Sequence, residues 1–195
     1  ELLRISKGTK CKLKTLPNMM EIMDGEVSVK QLRDVRIEDL LGREEVKLNI
    51  EEISGYLTNE VVMVTGGGGS IGSELCRQIA KFNPKKLIIF DIYENNAYEL
   101  QNKLMFLYKD KLDLEVVIGS CRDRERLREV FERYKPGVVF HAAAHKHVPL
   151  MEGNPSEAIK NNVFGTLNTC RRAVDFGAKK FILISTDKAV NPTNI

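Results

Sequence analysis

From residue 61 onward, apolar and polar positions follow two different patterns, which succeed each other along the chain. Short, mainly apolar runs of four to six residues predict strands that are buried on both faces of a parallel sheet. The segments between these runs carry apolar residues every three or four positions, which predicts amphipathic helices. The predicted strands cover residues 61–65, 87–91, 114–119, 138–141 and 181–185.

Five strands separated by four helices are typical of an α/β protein with a Rossmann-type, doubly wound parallel sheet. Right-handed crossover connections give an expected strand order of 3-2-1-4-5. The sequence ends at Ile195, soon after the fifth strand, so we expect a truncated fold with an open edge at that strand. The fourth helix is predicted to run from about Pro155 to a C-cap at Gly177, on an apolar face formed by Ile159, Val163, Leu167, Cys170 and Val174.

Residues 1–60 lack this alternation, and we interpret them as a linker or extension from an upstream domain. Within them, residues 11–15 are compatible with a strand, and residues 51–57 with a helix that leads into the first strand. Residues 61–195 are then the α/β domain, in incomplete form.

The composition narrows the class of protein. Hydrophobic residues make up 43% and charged residues 29% of the 195 positions, which excludes disordered and collagen-like chains. No apolar run approaches the ~20 residues that a membrane-spanning helix needs. Residues 61–195 carry 20 basic and 15 acidic side chains, but the basic ones are dispersed, so we expect a small anionic ligand and no nucleic acid. The four cysteines are widely separated, which argues against a disulfide scaffold or a zinc site and indicates reduced thiols in the cytosol.

A glycine-rich loop lies between the first strand and the first helix, where residues 65–72 read Thr-Gly-Gly-Gly-Gly-Ser-Ile-Gly. Two overlapping spacings of these glycines match the G-x-G-x-x-G form of dinucleotide-binding loops and its wider variant. We expect the amides of the glycine bend to be exposed and to bind a diphosphate at the helix start. The predicted cofactor-binding residues of this loop are Gly66, Gly67, Gly69, Ser70, Ile71 and Gly72.

Two acidic residues that follow strands are candidates for the adenosine side of such a cofactor. Asp91 ends the second strand, 25 residues after Gly66, close to the ~20-residue offset at which a carboxylate binds the adenosine ribose. This position favours NAD, because Ile92 stands where an Arg would bind the 2′-phosphate of NADP, although NADP stays open. Asp91 could instead cap the next helix. Asp123, after the third strand, could accept a hydrogen bond from the adenine amine or cap the third helix.

Four motifs together resemble the extended short-chain dehydrogenases/reductases. They are the glycine loop, His-Ala-Ala-Ala at 141–144, Asn-Asn-Val-Phe-Gly-Thr at 161–166 and Ser-Thr-Asp-Lys-Ala-Val-Asn-Pro at 185–192. The Glu-Leu pair at 74–75 and the run His-Lys-His-Val-Pro-Leu-Met-Glu at 145–152 narrow the resemblance. These residues are similar to the membrane-linked nucleotide-sugar 4,6-dehydratases of the CapD polysaccharide-biosynthesis type, over about residues 33–195.

The resemblance implies a reaction and assigns residues to it. In that family, tightly held NAD(P) oxidises C4 of a UDP-sugar such as UDP-N-acetylglucosamine, water is eliminated across C5 and C6, and the hydride returns to C6. Carried onto this sequence, Asp187 would be the acid, Lys188 the base and Thr186 a hydrogen-bonding partner near C4. A neighbouring carboxylate and ammonium favour each other's charged forms, so burial would have to outweigh their pairing.

The resemblance also implies a cellular location, an oligomeric state and the residues around the cofactor and the substrate. It implies a cytoplasmic domain of a protein that is anchored to the inner face of the plasma membrane, a homo-oligomer, and no metal. His141 is expected to be a packed residue at a strand end, and Asn162 either fixes the loop near the strand ends or is a buried structural amide. Expected at the cofactor are Ala142, Ala143 and Ala144, and at the substrate His145 and Lys146.

The sequence departs from this family in two respects, since we expect both a catalytic helix and the smaller C-terminal lobe that closes over the uridine to be missing. The helix with the Tyr-x-x-x-Lys or Met-x-x-x-Lys motif, whose Lys holds the nicotinamide ribose, would begin beyond Ile195. We therefore expect the chain by itself to be inactive or nearly so. A nucleotide-sugar 4-epimerase on the same scaffold and a non-catalytic dinucleotide-binding module are the alternatives, and the adjacent Asp187 and Lys188 favour elimination over epimerisation.

Overall fold

The computed structural model describes residues 49–186 and 189, together with the backbone of residues 14–15 and 33–34. The chain divides into two compact units, Glu1–Leu48 and Asn49–Ile195. In the first unit, the strands Lys14–Thr15 and Arg33–Asp34 form an antiparallel pair. Part of the strand expected at residues 11–15 is therefore present, and the rest of that prediction lies outside the described residues.

The second unit alternates strands and helices as the sequence pattern predicts. Its helices are α1 (Ile50–Leu57), α2 (Ser70–Ala80), α3 (Glu94–Tyr108), α4 (Arg124–Tyr134), α5 (Val148–Glu152), α6 (Pro155–Ala158) and α7 (Thr166–Asp175). A 3-10 turn at Lys109–Lys111 follows α3, and a π-helical segment at Ile159–Gly165 joins α6 to α7. Its strands are β1 (Val61–Thr65), β2 (Lys86–Asp91), β3 (Leu114–Ile118), β4 (Val138–His141) and β5 (Lys180–Leu183).

The five strands form one parallel sheet in the order β3-β2-β1-β4-β5, which confirms the predicted order. Strand β1 lies at the centre, where Val62 pairs with Leu87 on one side and Val138 on the other. Because all strands run the same way, the loops that follow them meet at one edge of the sheet. That edge carries the candidate site.

The core lies on both faces of the central strands. Alternate residues of β1 and β2 point to opposite faces, so Val62 and Ile89 join one apolar cluster while Met63 and Ile88 join the other. Helix α1 belongs to the first cluster through Leu57, which is 2% exposed. The helix that was predicted before the first strand is therefore packed against the sheet.

The fourth predicted helix differs from the prediction in two ways. It is divided into α6, the π-helical segment and α7, and its apolar residues Ile159, Val163, Leu167 and Val174 are exposed. The buried side carries Ala158, Gly165, Asn168, Thr169 and Ala173.

A close approach to the neighbouring loop explains which residues of this segment are buried. A Cβ at Gly165 would lie 3.4 Å from Cβ of Cys121, an ordinary van der Waals distance, so this side of the segment packs directly against the loop after β3. The predicted end of the helix is confirmed. Gly177 adopts a φ of +73°, and the amide of Ala178 donates to the carbonyl of Ala173 at 2.8 Å.

Strand β5 lies at the edge of the sheet and is two residues shorter at its end than the prediction of 181–185. Within the described residues it pairs with β4 alone, and its side chains are half-buried or exposed. A membrane-crossing helix is absent from the described segments, since none of their helices is both long and apolar enough.

Candidate functional site

A cleft opens at the carboxyl ends of the first four strands, where a doubly wound sheet binds its ligands. The loop after β1 contributes Gly66, Gly68 and Gly69, and the end of β2 contributes Asp91. The loops after β3 and β4 form the opposite walls. The remaining lining residues are Phe90, Ile92, Asn96, Gly119, Ser120, Cys121, Arg122, Ala142, Ala143, Ala144, His145 and Asn161.

Backbone atoms lie too close to two glycines of the loop to leave room for a side chain. Gly66 has a φ of +67°, and a Cβ on it would lie 2.7 Å from backbone atoms of Ala143. A Cβ on Gly72 would overlap the carbonyl oxygen of Gly66. These contacts hold the first turn of α2 against the loop and bring the loop against the end of β4.

The amides of the glycine bend are not free, contrary to the expectation from sequence. Gly66 and Gly67 donate to the carbonyl of Phe90 at 2.8 and 3.3 Å, and Gly69 donates to the carbonyl of Gly66 at 3.0 Å. Gly68 donates to Oδ2 of Asp91 at 2.8 Å. The sequence could not show this, because the main acceptor comes from a different strand.

The unpaired amides lie one turn further on, at the start of α2. No acceptor within the described residues pairs with the amides of Ser70, Ile71 or Gly72, and the N-cap Gly69 has no side chain to supply one. These three donors and the positive end of the helix dipole favour an anionic group beside the loop. Diphosphate binding is therefore possible at the helix start rather than through the glycine amides.

Asp91 holds the glycine loop from the neighbouring strand. It is 9% exposed, and its Oδ2 accepts from Gly68 while its Oδ1 accepts from the amide of Tyr93 at 2.8 Å. Neither donor is an amide of α3, whose N-cap is Tyr93, so Asp91 does not cap that helix. Its carboxylate faces the cleft together with Ile92 and Asn96.

The loop after β3 contributes residues other than the one selected from sequence. Asp123 is the N-cap of α4, and its Oδ1 accepts from the amides of Glu125 and Arg126 at 3.1 and 3.0 Å. The side that faces the cleft is formed by Ser120, Cys121 and Arg122, together with Gly119. Sequence analysis missed these four, although their position directly after a strand was a signal.

The loop after β4 is held by two amide side chains from the π-helical segment. Asn162 accepts from the amide of His145 and donates to its carbonyl, both at 2.8 Å. Asn161 donates to the carbonyl of Ala143 at 3.3 Å. Asn162 therefore fixes the loop geometry, which was one of the two roles expected for it. His145 lines the cleft, whereas Lys146 is exposed and does not line it.

His141 is a buried strand-end residue, as expected. Its Nδ1 lies 2.6 Å from Oγ1 of Thr65 on β1, and its Nε2 lies 2.9 Å from Oγ1 of Thr166 on α7. Burial lowers the pKa of the imidazole to about 4, which keeps it neutral. His141 therefore connects β1, β4 and α7.

Burial also keeps two of the described cysteines protonated, Cys76 and Cys121. Cys76, Cys121 and Cys170 are free thiols, and burial raises the pKa of Cys76 to about 12 and of Cys121 to about 11. The described residues also contain no group of three His, Cys, Asp or Glu side chains that could hold a metal ion.

The three residues assigned to catalysis follow β5. Thr186 is exposed, and its carbonyl accepts from the amide of Ala189 at 3.1 Å. The amide of Ile184 donates to the carbonyl of His141 at 3.0 Å, so the chain still follows the end of β4 as it leaves β5. Asp187 and Lys188 lie outside the described residues.

Comparison with known proteins decides the family. The family described as polysaccharide biosynthesis protein matches residues 62–195. This chain belongs to that family. The match confirms the resemblance to CapD-type extended short-chain dehydrogenases/reductases and begins at β1, so α1 precedes it.

Individual relatives in and around this family carry more specific names. The chain is 48% identical over 180 residues to the capsular polysaccharide biosynthesis protein CapD of Staphylococcus aureus, covering 92% of this chain and 30% of that protein. It is 36% identical over 135 residues to a UDP-N-acetylglucosamine 4,6-dehydratase (inverting) of Campylobacter jejuni, covering 69% of this chain and 38% of that protein. The chain thus spans about a third of the length of these curated relatives.

A solved structure extends the comparison to bound ligands. The Bordetella bronchiseptica enzyme WbmG, determined in complex with NAD and UDP, matches with a TM-score of 0.54 and 25% identity. The match covers 65% of this chain and 37% of that one.

Proposed function

We propose that the protein carrying this chain is an NAD-dependent nucleotide-sugar 4,6-dehydratase of polysaccharide biosynthesis, acting on a substrate of the UDP-N-acetylglucosamine class. The observation that carries the proposal is the start of α2 beside the cleft, where the amides of Ser70, Ile71 and Gly72 have no acceptor among the residues that the structure describes. A pyrophosphate supplies the negative charge that these donors and the helix dipole favour.

The adenosine side of the cleft supports NAD. The carboxylate of Asp91 would repel a 2′-phosphate, and the neighbouring Ile92 offers it no positive charge. WbmG, a structural relative, was solved with NAD bound. Bound NAD would take a hydride from the sugar and return it. Cofactor contacts are proposed for Gly66, Gly67, Gly69 and the three alanines after β4, by close approach rather than through glycine amides.

The class of reaction is supported by the relatives and by the position of β5. The Campylobacter relative is named as a UDP-N-acetylglucosamine 4,6-dehydratase. In this chain β5 lies beside β4, and Thr186 follows it at the edge of the sheet that carries the cleft. Asp187 and Lys188 come next in the sequence. We assign Asp187 as the acid and Lys188 as the base, with His145 and Lys146 toward the sugar.

The mass of the product tests the reaction directly. The full-length protein is incubated with NAD and UDP-N-acetylglucosamine, and we expect a product lighter by one water. A product of unchanged mass and altered stereochemistry would identify a 4-epimerase, and the absence of any product would favour the non-catalytic module. Lys188→Ala should abolish water loss, whereas the matched change Lys135→Ala, at an exposed lysine on the opposite edge of the sheet, should not.

The resemblance also supports a proposal on the setting of the enzyme. We propose that the full-length protein is a homo-oligomer held at the inner face of the plasma membrane. Fractionation of cells that express it, followed by cross-linking of the membrane fraction, tests both parts. Recovery in the soluble fraction as a monomer would contradict them.

A further inference from the structure

The two edges of the parallel sheet differ sharply in charge. We define the carboxyl edge as the last residue of each strand and the loop that follows it. These residues are 65–69, 91–93, 118–123, 141–147 and 183–186. The described residues of this edge hold two basic and two acidic side chains. At the amino edge, the corresponding loops, with each strand's first residue, span residues 58–61, 81–86, 109–114, 135–138 and 176–180. They hold eight lysines and three acidic residues. We call this second surface the basic edge.

Most of this positive charge is available to a partner. Seven of the eight lysines are exposed, and two of the acidic residues are already paired, Glu60 with Lys179 and Asp113 with Lys86. The negative ends of helix dipoles explain cations at helix ends such as Lys109 and Lys135. They do not explain Lys85, which comes directly before a strand.

An apolar tip stands at the same edge. The last turn of α3 exposes three consecutive residues, Met105, Phe106 and Leu107, to 54%, 80% and 67%. Successive helical residues lie about 100° apart, so the three side chains fan over about 200° of the helix surface. They form a convex tip rather than a groove or a flat face. The helix ends immediately after it, where Lys109 adopts a φ of +49°.

We propose that the basic edge, with residues 105–107 as its apolar tip, binds the surface of an anionic lipid bilayer. Exposed lysines attract lipid phosphates, and a convex apolar tip can enter the deformable boundary between headgroups and acyl chains. A nucleic acid would use the lysines but leave the tip in water. In this orientation the cleft, at the opposite edge of the sheet, stays open to solvent.

Sedimentation of the purified chain with lipid vesicles tests whether the lysines of the basic edge drive binding. We expect binding to vesicles that contain phosphatidylglycerol, little binding to phosphatidylcholine alone, and loss of binding as salt rises from about 0.1 to about 0.5 M. Lys109→Glu combined with Lys111→Glu should lower the partition coefficient by more than about tenfold. The matched control, Lys160→Glu combined with Arg171→Glu, makes the same charge change away from this edge and should keep binding.

Fluorescence tests the apolar tip, because the chain contains no tryptophan. Phe106→Trp places a reporter in the tip, and Tyr98→Trp places one two turns earlier on the same helix, at a position that is 64% exposed. We expect vesicles to shift the emission of the first variant to shorter wavelength and brominated lipids to quench it, with little effect on the second. Circular dichroism checks that both variants are folded.

Several outcomes would overturn the proposal. They are equal binding to neutral and anionic vesicles, equal loss of binding in the two charge variants, or identical responses of the two reporters. A shift of the Phe106→Trp emission with protein concentration, in the absence of vesicles, would instead assign the tip to contact with a second copy. None of these measurements depends on catalysis, so their failure would leave the proposed reaction untouched.

Discussion

A Cβ on Gly72 would overlap the carbonyl oxygen of Gly66, so a single methyl group there tests the glycine loop. We expect Gly72→Ala to push α2 away from Gly66, to lower NAD affinity by at least about tenfold and to destabilise the fold by about 2–4 kcal/mol. Gly55→Ala is the matched control, because its added Cβ meets nothing within 4 Å. At this exposed position of α1, the alanine should stabilise the fold by about 0.5–1 kcal/mol and leave NAD affinity unchanged. Isothermal titration and urea unfolding measure the two effects, and equal behaviour of the variants would contradict the account.

His141 makes stability depend on pH in a defined window. Its pKa falls from 6.5 in the unfolded chain to about 4 when folded, so the unfolded state binds more protons between these values. Stability therefore rises with pH across the window and is lost as pH falls from 6.5 toward 4, by about 3 kcal/mol in total. Urea unfolding at several pH values should show this slope. The slope should be flatter in His141→Asn, and an unchanged slope would show that other groups cause it.

Among the secondary-structure elements, α4 allows a test of whether Asp123 caps a helix or contacts the cofactor. Its Oδ1 accepts from two amides at the start of α4, so Asp123→Ala should cost about 1 kcal/mol of stability. Because the side chain does not line the cleft, we expect NAD affinity to stay within twofold of the original, or about 0.4 kcal/mol. A tenfold loss of affinity with unchanged stability would restore the alternative in which it contacts adenine. Thermal unfolding and titration calorimetry give the two numbers.

The elements also show which features the sequence could predict. Strand order followed from the alternation of apolar runs and helices together with the handedness of crossovers, both of which are local or general rules. The buried side of the 159–174 segment could not be predicted from the sequence pattern. Periodicity identifies an apolar face but not the element that packs against it, and here Gly165 on the buried side packs against Cys121 of a distant loop. The short helix α5 carried no comparable pattern.

The same distinction between local patterns and contacts of distant segments applies to the candidate site. Gly66 and Asp91 were found from their positions at the ends of the first two strands, and residues 142–145 from the family resemblance. The structure brings all of them to one cleft. The pairing of the glycine amides depends on the carbonyl of Phe90, on another strand, and no local pattern reveals it. The amide clamp of Asn162 on His145 likewise depends on contacts between distant segments.

At the scale of the whole molecule, the parallel sheet separates two surfaces with different chemistry. The carboxyl edge carries a cleft with unpaired helix amides and nearly balanced charge, and the amino edge carries excess lysine and an apolar tip. One topology produces both, since every strand starts at one edge and ends at the other. We therefore expect ligands of the cleft and of the basic edge to bind independently.

The amide resonances at the start of α2 report directly on phosphate binding there. In a ¹⁵N-labelled sample titrated with NAD, we expect large, saturable shifts at Ser70, Ile71 and Gly72. Adenosine, which lacks phosphate, should shift residues near Ser120 but not these three. Saturable NAD binding that leaves the three amides unshifted, or equal shifts with adenosine, would show that these amides do not bind the pyrophosphate.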